Sequence, residues 1–440
     1  MVFFIPSYSK FYMDYKATLD FLYSSFPMFE KIGGGAYHPG LERIEELCSH
    51  FGDPQKKIKT IHIAGTNGKG SSSHLIASVL QSAGYKTGLY TSPHLVEFTE
   101  RIKINGQEIP EEVITDFVNQ NLDFFNYFRA SFFEITTLLG FYFFAQEKVD
   151  VAVIETGLGG RLDATNVLEP EITLITNISF DHMQYLGDTL EKIAFEKAGI
   201  IKNGIPIVIG ERQAETSPVF ETVAQGKNAP LQYAEDFCQL ENVSFSDGKM
   251  KAEVSCSENP LLKEIEVGLG GFYQEKNIKG VITVLTLLKE KKWKIKESAI
   301  QEGFKNVLQN TGLKGRWYFL QKDPIVLCDT AHNEAGVKFV TEQLRTLSYH
   351  DLYIVWGMVK DKEIDKILAL LPKEAWYFFT RPSIPRGLET AVLLEKATTA
   401  GLKGEVVETV TEALSKAKTK AGKEDLIYVG GSTFVVAEIL

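Results

Sequence analysis

Cysteine is scarce in this chain. The four that occur, Cys48, Cys238, Cys256 and Cys328, are scattered and show no Cys-x-x-Cys spacing. That argues against a disulfide framework or a thiolate zinc site, and fits a reduced, cytoplasmic protein whose thiols fill the core. Long apolar runs are also missing. The longest, Ile135 to Ala145, falls far short of the roughly 20 residues that span a bilayer, so no membrane role is expected. The start, Met1-Val-Phe-Phe-Ile-Pro6, has no basic stretch before its apolar patch and does not read as a secretory leader. Positive charge is in deficit: 47 Lys and Arg face 57 Asp and Glu, a net charge of −10. Nucleic acid is therefore not the expected partner. The basic run Lys289 to Lys296 is short, interrupted by Glu290, and reads as a solvated helix end.

What is present is an ordinary globular composition, 44% hydrophobic and 24% charged, over 440 residues. That length exceeds one usual core, so two or three domains are expected. The chain is organised around Thr60-Ile-His-Ile-Ala-Gly-Thr-Asn-Gly-Lys-Gly-Ser-Ser-Ser73. Ile61 and Ile63 alternate as in a strand, Gly65, Gly68 and Gly70 break it, and a helix follows. A strand, a glycine-rich turn and a helix N-terminus point backbone N–H groups at an anion. Lys69 adds a charge for phosphate oxygens and Ser71 a hydroxyl for Mg2+. The strict P-loop spacing is broken, because Ile63 stands where the first glycine belongs and Gly70 separates Lys69 from Ser71.

From residue 58 strands alternate with helices. Strands are expected at 60–64, 86–90, 149–154, 172–177 and 205–209, and helices at 71–83, 111–127, 133–146 and 189–199. The pattern implies a parallel sheet flanked by helices, with ligands beyond the carboxyl ends of the strands. Between 226 and 272 the helical periodicity disappears, and Ser246-Asp-Gly-Lys249 reads as a hairpin turn. A helix from about 275 to 292 follows. A second α/β series begins near Pro324, with strands at 325–329, 352–357, 375–379, 404–407 and 426–429. The domain boundary is expected near 312, beside Asn310-Thr-Gly312. Upstream, residues 11 to 30 carry a helical pattern, and Gly33-Gly-Gly35 with His38-Pro-Gly40 forms a turn that is either a substrate loop or a passive connection.

Polar residues gather at the expected strand ends: Ser92, Glu155, Asp181 and His182, then Asp329, His332 and Asn333. A carboxylate beside a phosphate loop is the usual way to hold Mg2+. By itself His182 reads as a structural histidine, since Mg2+ prefers oxygen. Gly157 to Asn166 is a second glycine-rich loop, whose Arg161 and Asp163 either bind a polar substrate or sit in a tight crossing. Lys197, on spacing alone, reads as an exposed helix lysine. Arg316 could reach across a cleft between domains. The residues thus point to a two-domain α/β protein with a Mg-nucleotide site at the junction, and they do not name the substrate.

Taken together, several segments resemble the folylpolyglutamate synthase and dihydrofolate synthase family of Mur-ligase-like amide ligases. They are Gly65 to Ser71, Tyr90-Thr-Ser-Pro93, Glu155 to Asn166, Asp181-His182, Glu196-Lys-Ala-Gly-Ile200, Asp329-Thr-Ala-His-Asn333, Gly357 to Lys362 and Gly430-Gly-Ser432. The resemblance spans nearly the whole chain. It implies a P-loop-type ATPase domain (1–312) with a mainly parallel sheet and a small antiparallel portion. A C-terminal Rossmann-like α/β domain (313–440) would follow. It also implies ATP-dependent joining of L-glutamate to dihydropteroate or tetrahydrofolate through an acyl phosphate.

On the resemblance, Thr66, Asn67, Gly68, Lys69, Gly70 and Ser71 would cradle ATP, completed by Asn277, Arg316 and Asp329. Ser71, Ser92, Glu155 and His182 would hold Mg2+. Lys69, Lys197 and His332 would be catalytic, Lys197 as a carbamate that offers the metal a carboxylate-like oxygen. Leu162, Asp163, Ala164, Gly40 and Arg43 would face the pterin. Two positions depart from the family pattern: Glu334 follows Ala-His-Asn where Pro is usual, and Pro385-Arg-Gly387 replaces Pro-Arg-Ala. A sister Mur ligase would need a full UDP-binding domain before the phosphate loop, where only about 60 residues stand. A small-molecule kinase would leave the second α/β domain and Lys197 without a role. A non-catalytic nucleotide-binding protein would not need Glu155, His182 and Lys197 together. A monomer is expected, since a cleft between two domains needs no second copy.

Overall fold

A computed structural model describes residues 12–26, 40–128, 130–256 and 263–440. The Met1–Pro6 start and the Gly33–Pro39 part of the proposed substrate loop lie outside the described residues. Of the helical pattern at 11–30, Tyr15–Ser25 is helix, capped by the Asp14 side chain on the Ala17 amide. Among the described residues no helix is long and apolar enough to cross a membrane.

The first sheet has eight strands: β1 (Thr60–Ala64), β2 (Thr87–Tyr90), β3 (Ile102–Ile104), β4 (Gln107–Glu108), β5 (Val151–Glu155), β6 (Ile172–Ile175), β7 (Ile207–Ile209) and β8 (Leu231–Tyr233). Their order is β4-β3-β2-β5-β1-β6-β7-β8. The six strands from β2 to β8 in that order run parallel, and β3 and β4 add an antiparallel edge. All five residues of β1 and of β5 are buried, as expected of central strands covered on both faces. The short strands β3, β4 and β8 escape the sequence reading, each having too few residues to show a period.

A hairpin of β9 (Cys238–Ser246) and β10 (Lys249–Cys256) carries β11 (Glu264–Val267) on its outer edge. Asp247 and Gly248, both at positive φ (50° and 73°), make the two-residue turn that the Asp-Gly pair predicts. The last sheet contains β12 (Tyr318–Lys322), β13 (Ile325–Cys328), β14 (Leu352–Trp356), β15 (Trp376–Phe379), β16 (Lys403–Val406) and β17 (Leu426–Gly430). Its order is β12-β13-β17-β14-β15-β16, parallel except for the β12–β13 hairpin. β12 is half-exposed, although Tyr318, Phe319 and Leu320 make its first three residues apolar.

The helix Lys69–Ser82 is buried from Ser71 to Leu80. Its Ser78 hydroxyl donates to the Gly303 carbonyl at 2.6 Å, and a Cβ at Gly303 would come within 2.5 Å of the Val79 Cα. Small residues let the helix Glu297–Lys305 press directly on it, fixing the phosphate loop from behind. The expected single helix at 111–127 is instead two, Glu111–Gln120 and Leu122–Phe128, broken at Asn121, whose amide donates to the Phe117 carbonyl.

Candidate active site

Parallel neighbours end at the same edge, so register assembles the site. Ile63 of β1 pairs with Glu155 of β5, and Tyr90 of β2 pairs with Ile154. The phosphate loop, Glu155 and Ser92 therefore emerge side by side, and the segment after β6 brings Asn177 to His182 to the same edge. Because the chain turns to opposite sides of β1, a crevice opens there, where ligands settle in such sheets.

Two glycines shape the phosphate loop. Gly65 has φ +147° and Gly68 φ +84°, and a Cβ at either would collide, with Thr176 and with the Asn277 side-chain oxygen respectively. The loop is braced by the Thr176 hydroxyl on the Asn67 carbonyl (2.6 Å) and by the Asn67 amide on Asn177 Oδ1 (3.0 Å). The helix begins at Lys69, and the Ser72 amide is bonded to the Gly68 carbonyl. The amides ahead of it line an anion site at the positive end of the helix. Lys69 folds back, its ammonium donating to the Gly65 and Thr66 carbonyls at 3.1 and 3.3 Å.

Glu155 is buried, and burial pushes its carboxyl up to about 7 against the opposing pull of Lys69 and Arg316. The Ser92 amide donates to it at 3.4 Å, from a cis Ser92–Pro93 bond. A buried carboxylate grouped with the Ser71 and Ser92 hydroxyls is an oxygen-donor set that fits a hard divalent cation. His182 lines the neighbouring, smaller cavity, which Ser92 also reaches. Its imidazole, pushed down to about 3 chiefly by burial, is neutral, as a metal ligand must be.

Lys197 overturns the exposed reading. It is 4% exposed and donates to the Gly65 carbonyl at 2.8 Å, with its amine pushed down to about 7, first by burial and then by Lys69. Glycines explain the burial. A Cβ at Gly160 would lie 2.9 Å from the Lys197 carbonyl, and one at Gly199 would strike Arg161. The second glycine loop thus packs onto the helix Leu190–Ala198 and closes over the lysine.

The second half brings its own strand ends to the crevice. Asp329, after β13, accepts from Tyr273 (2.5 Å), Trp317 N (2.7 Å) and Ala331 N (2.8 Å). Arg316 donates to the Gly315 carbonyl and the Thr330 hydroxyl, and both Arg316 and Glu155 border Gly70. His332 bonds the Thr330 carbonyl (3.0 Å) and Asp181 (3.3 Å), while Asn333 exchanges amide contacts with Asn67. Asp181 also takes the Lys362 ammonium at 2.5 Å.

Two cavities result. One of about 520 Å³ holds the phosphate loop, Glu155, Asn277, Arg316 and Asp329. The other, about 220 Å³, is walled by Phe132, Phe133, Leu158 and Leu162 on one side and by Lys362, Arg386 and Phe434 on the other. Ser92, Pro93, His332 and Thr433 line both, so the two chambers meet there.

The chain matches two family models: the Mur ligase middle domain over residues 63–285 and the Mur ligase glutamate ligase domain over 315–433. It is 36% identical over 419 residues to the dihydrofolate synthase/folylpolyglutamate synthase of Bacillus subtilis, covering 91% of this chain and 94% of that one. The chain belongs to the Mur ligases, in the dihydrofolate synthase/folylpolyglutamate synthase family. Among solved structures it is similar to Escherichia coli FolC in complex with DHPP and ADP, with TM-score 0.82, 30% identity and 97% of each chain covered. A bifunctional folylpolyglutamate synthase/dihydrofolate synthase with Mn, AMPPNP and L-glutamate bound also superposes, with TM-score 0.82 and 27% identity over 99% of this chain and 98% of that one.

Within this ligase, Thr66 to Ser71, Ser92, Glu155, Asn277, Arg316, Asp329 and His332 converge on the larger cavity. Gly40, Leu162, Asp163, Ala164 and His182 line the smaller one. Asp163 lines it with oxygens already committed to the Leu158 amide (2.8 Å) and the Thr165 amide and hydroxyl (3.0 and 2.5 Å), so it braces the loop. Arg43 is not among the lining residues; it pairs with Glu134 at 3.4 Å. Arg161 is likewise absent from both walls, tied to Glu196 at 2.8 Å. The sequence reading missed Ser131 to Glu134, which line the smaller cavity from a helix start. The signal was there: Ser131-x-x-Glu134 is a capping box, with Ser131 N donating to Glu134 at 2.6 Å and the Glu134 amide to the Ser131 hydroxyl at 3.2 Å.

Proposed function

We propose that this chain joins L-glutamate to both dihydropteroate and reduced folates at the expense of ATP. The observation that carries the reading is the meeting of a phosphate-loop cavity and an aromatic-walled cavity at Ser92, Pro93, His332 and Thr433. ATP lies in the larger chamber with its phosphates on the amides of Gly68 to Ser71, and Asn277, Arg316 and Asp329 bound its far side. The pterin-bearing acceptor lies between Phe132, Phe133 and Leu162, its carboxylate directed to the junction.

An acceptor carboxylate oxygen attacks the γ-phosphorus, the bond to the β–γ bridging oxygen breaks, and ADP leaves. The glutamate nitrogen then attacks the acyl carbon, sheds a proton, and phosphate departs. Lys69 and Arg316 neutralise the charge that develops on the transferring group, and His332 stands beside its path. Ser71, Ser92, Glu155 and His182 would hold Mg2+, which would supply further charge neutralisation at the phosphates. A neutral, buried Lys197 amine is the form that reacts with CO2, which supports its carrying a carbamate. The division into domains at residue 312, a cytoplasmic location and a monomer complete the reading.

The test is ADP release by purified protein with Mg-ATP and L-glutamate, comparing dihydropteroate with tetrahydrofolate. Turnover with both is expected. Turnover with tetrahydrofolate alone would leave a folylpolyglutamate synthase only, and turnover with neither would remove the ligase reading.

A further inference from the structure

Cys238 opens β9 and Cys256 closes β10, and the register of the hairpin sets them directly opposite each other. Separated by a whole hairpin in the sequence, they form no spacing motif. On β10, Met250, Ala252 and Val254 are buried while Lys251, Glu253 and Ser255 are exposed, so Cys256 continues the inward face. Directly opposed residues of an antiparallel pair share a face, so Cys238 points the same way. Such residues have Cα atoms about 4.5 or 5.5 Å apart, depending on the hydrogen-bond pattern. Both separations fall within the roughly 4.4–6.8 Å that a disulfide spans. The two thiols are in contact, joined by a side-chain hydrogen bond.

The sulfurs are not equivalent. Cys238 is fully buried in the core that the small sheet shares with the helix Gln274–Glu290, whereas Cys256 is half-buried at the edge of that core. Their hydrogen bond, donated by the Cys238 S–H, pushes the Cys238 thiol up and the Cys256 thiol down. Cys256 is therefore the member that a small solute reaches and that ionises more readily. Cys48 and Cys328 are buried, and burial pushes both thiols up, Cys48 to about 12. Buried, protonated thiols of that kind are inert.

We propose that Cys238 and Cys256 form a reversible oxidation site, closed to a disulfide by a small hydroperoxide. The Cys256 thiolate attacks one peroxide oxygen. An S–O bond forms, the O–O bond breaks, and the other oxygen takes up a proton and leaves as water or an alcohol. The Cys238 sulfur then attacks the sulfenic sulfur of Cys256. The S–S bond forms, the S–O bond breaks, and the Cys238 proton leaves with the hydroxyl as water. Two thiols are oxidised and one peroxide is reduced. A reducing thiol reverses the step by exchange. Because the strands are already paired at these positions, the bond needs no movement of the hairpin.

The experiment treats the full-length protein with hydrogen peroxide, alkylates the remaining thiols and maps the peptides by mass spectrometry. Cleavage at Lys249 and Lys251 puts the two cysteines on different peptides, so a link between them is visible. The free-thiol titre is expected to fall by one pair of the four cysteines, with the Cys238 and Cys256 peptides joined and dithiothreitol restoring both. In Cys238→Ala the resolving sulfur is gone, and Cys256 should accumulate as a sulfenic acid that dimedone labels. In Cys256→Ser the remaining thiols should survive the same treatment. The wild-type map requires no variant to fold. An unchanged wild-type titre, oxidation of Cys256 without a link to Cys238, or faster loss of Cys48 or Cys328 overturns the assignment.

Discussion

The Lys362 ammonium and the Asp181 carboxylate lie 2.5 Å apart, with side chains only 9% and 8% exposed, though 181 residues separate them in the chain. One comes from the loop after β14 and the other from the segment after β6, so this ion pair bridges the two large sheets at the crevice. Burial alone would push the Asp181 carboxyl up. Lys362, with His332 and His182, outweighs it and holds the group well below the usual carboxylate range.

Replacing Lys362 by Met strands a buried carboxylate, which costs about 3–5 kcal/mol when one partner of such a pair is removed. The sign of the pH dependence follows from the depressed folded value. The pair's contribution is present above the unfolded carboxylate value of about 3.9 and fades as pH falls through the folded one. Melting temperatures of wild type and Lys362→Met are therefore expected to differ near neutral pH, with the gap narrowing progressively as pH falls below about 4. A gap that persists unchanged in acid would assign the loss to packing instead.

Lys197→Ala is expected to abolish ligation, by about 100-fold or more, while the melting curve stays cooperative. In the wild type, carbamate formation needs the free amine, which protonates as pH drops through about 7. Activity in CO2-depleted buffer should fall below that pH and recover on adding bicarbonate, with labelled bicarbonate giving a carbonyl resonance absent from Lys197→Ala. Activity indifferent to bicarbonate would count against the modification.

Glu155, with its carboxyl at about 7, must lose a proton before it can hold a cation. Calorimetric titration with Mg2+ should show affinity declining about tenfold per pH unit below 7, one proton being displaced per ion. Glu155→Gln should remove this pH dependence along with most of the affinity. A pH-independent affinity in the wild type would place the ion elsewhere.

Gly68→Ala puts a side chain at φ +84°, a conformation costing about 1–2 kcal/mol for an L-residue, and drives its Cβ into Asn277. The phosphate loop has to shift. A rise in KM for ATP of about tenfold or more is expected, since small misplacements near reacting groups carry large penalties, with KM for L-glutamate little changed. Gly84→Ala, where a Cβ would meet nothing within 4 Å, serves as the control for backbone strain at φ +90° alone.

Much of the fold was legible because its signals are local. Ile61 and Ile63 followed by Gly65, Gly68 and Gly70 dictate a strand, a turn and a helix within a few residues, and Asp247-Gly248 dictates its own hairpin. The same holds for the roster of polar strand ends, from Ser92 and Glu155 to Asp329 and His332. Which of those groups meet, and in what charge state, is another matter. Lys197 looks like any helix lysine until Gly160 and Gly199 allow a loop from elsewhere to seal it in. Asp163 lines the smaller cavity, and only the folded chain shows that its oxygens also hold the loop's own amides. Local backbone preference and apolar spacing are written residue by residue, so the sequence determined the elements and named the groups able to do chemistry. Burial, ion pairing and the sharing of one crevice by two sheets depend on neighbours distant in the chain, and only the tertiary structure decided them.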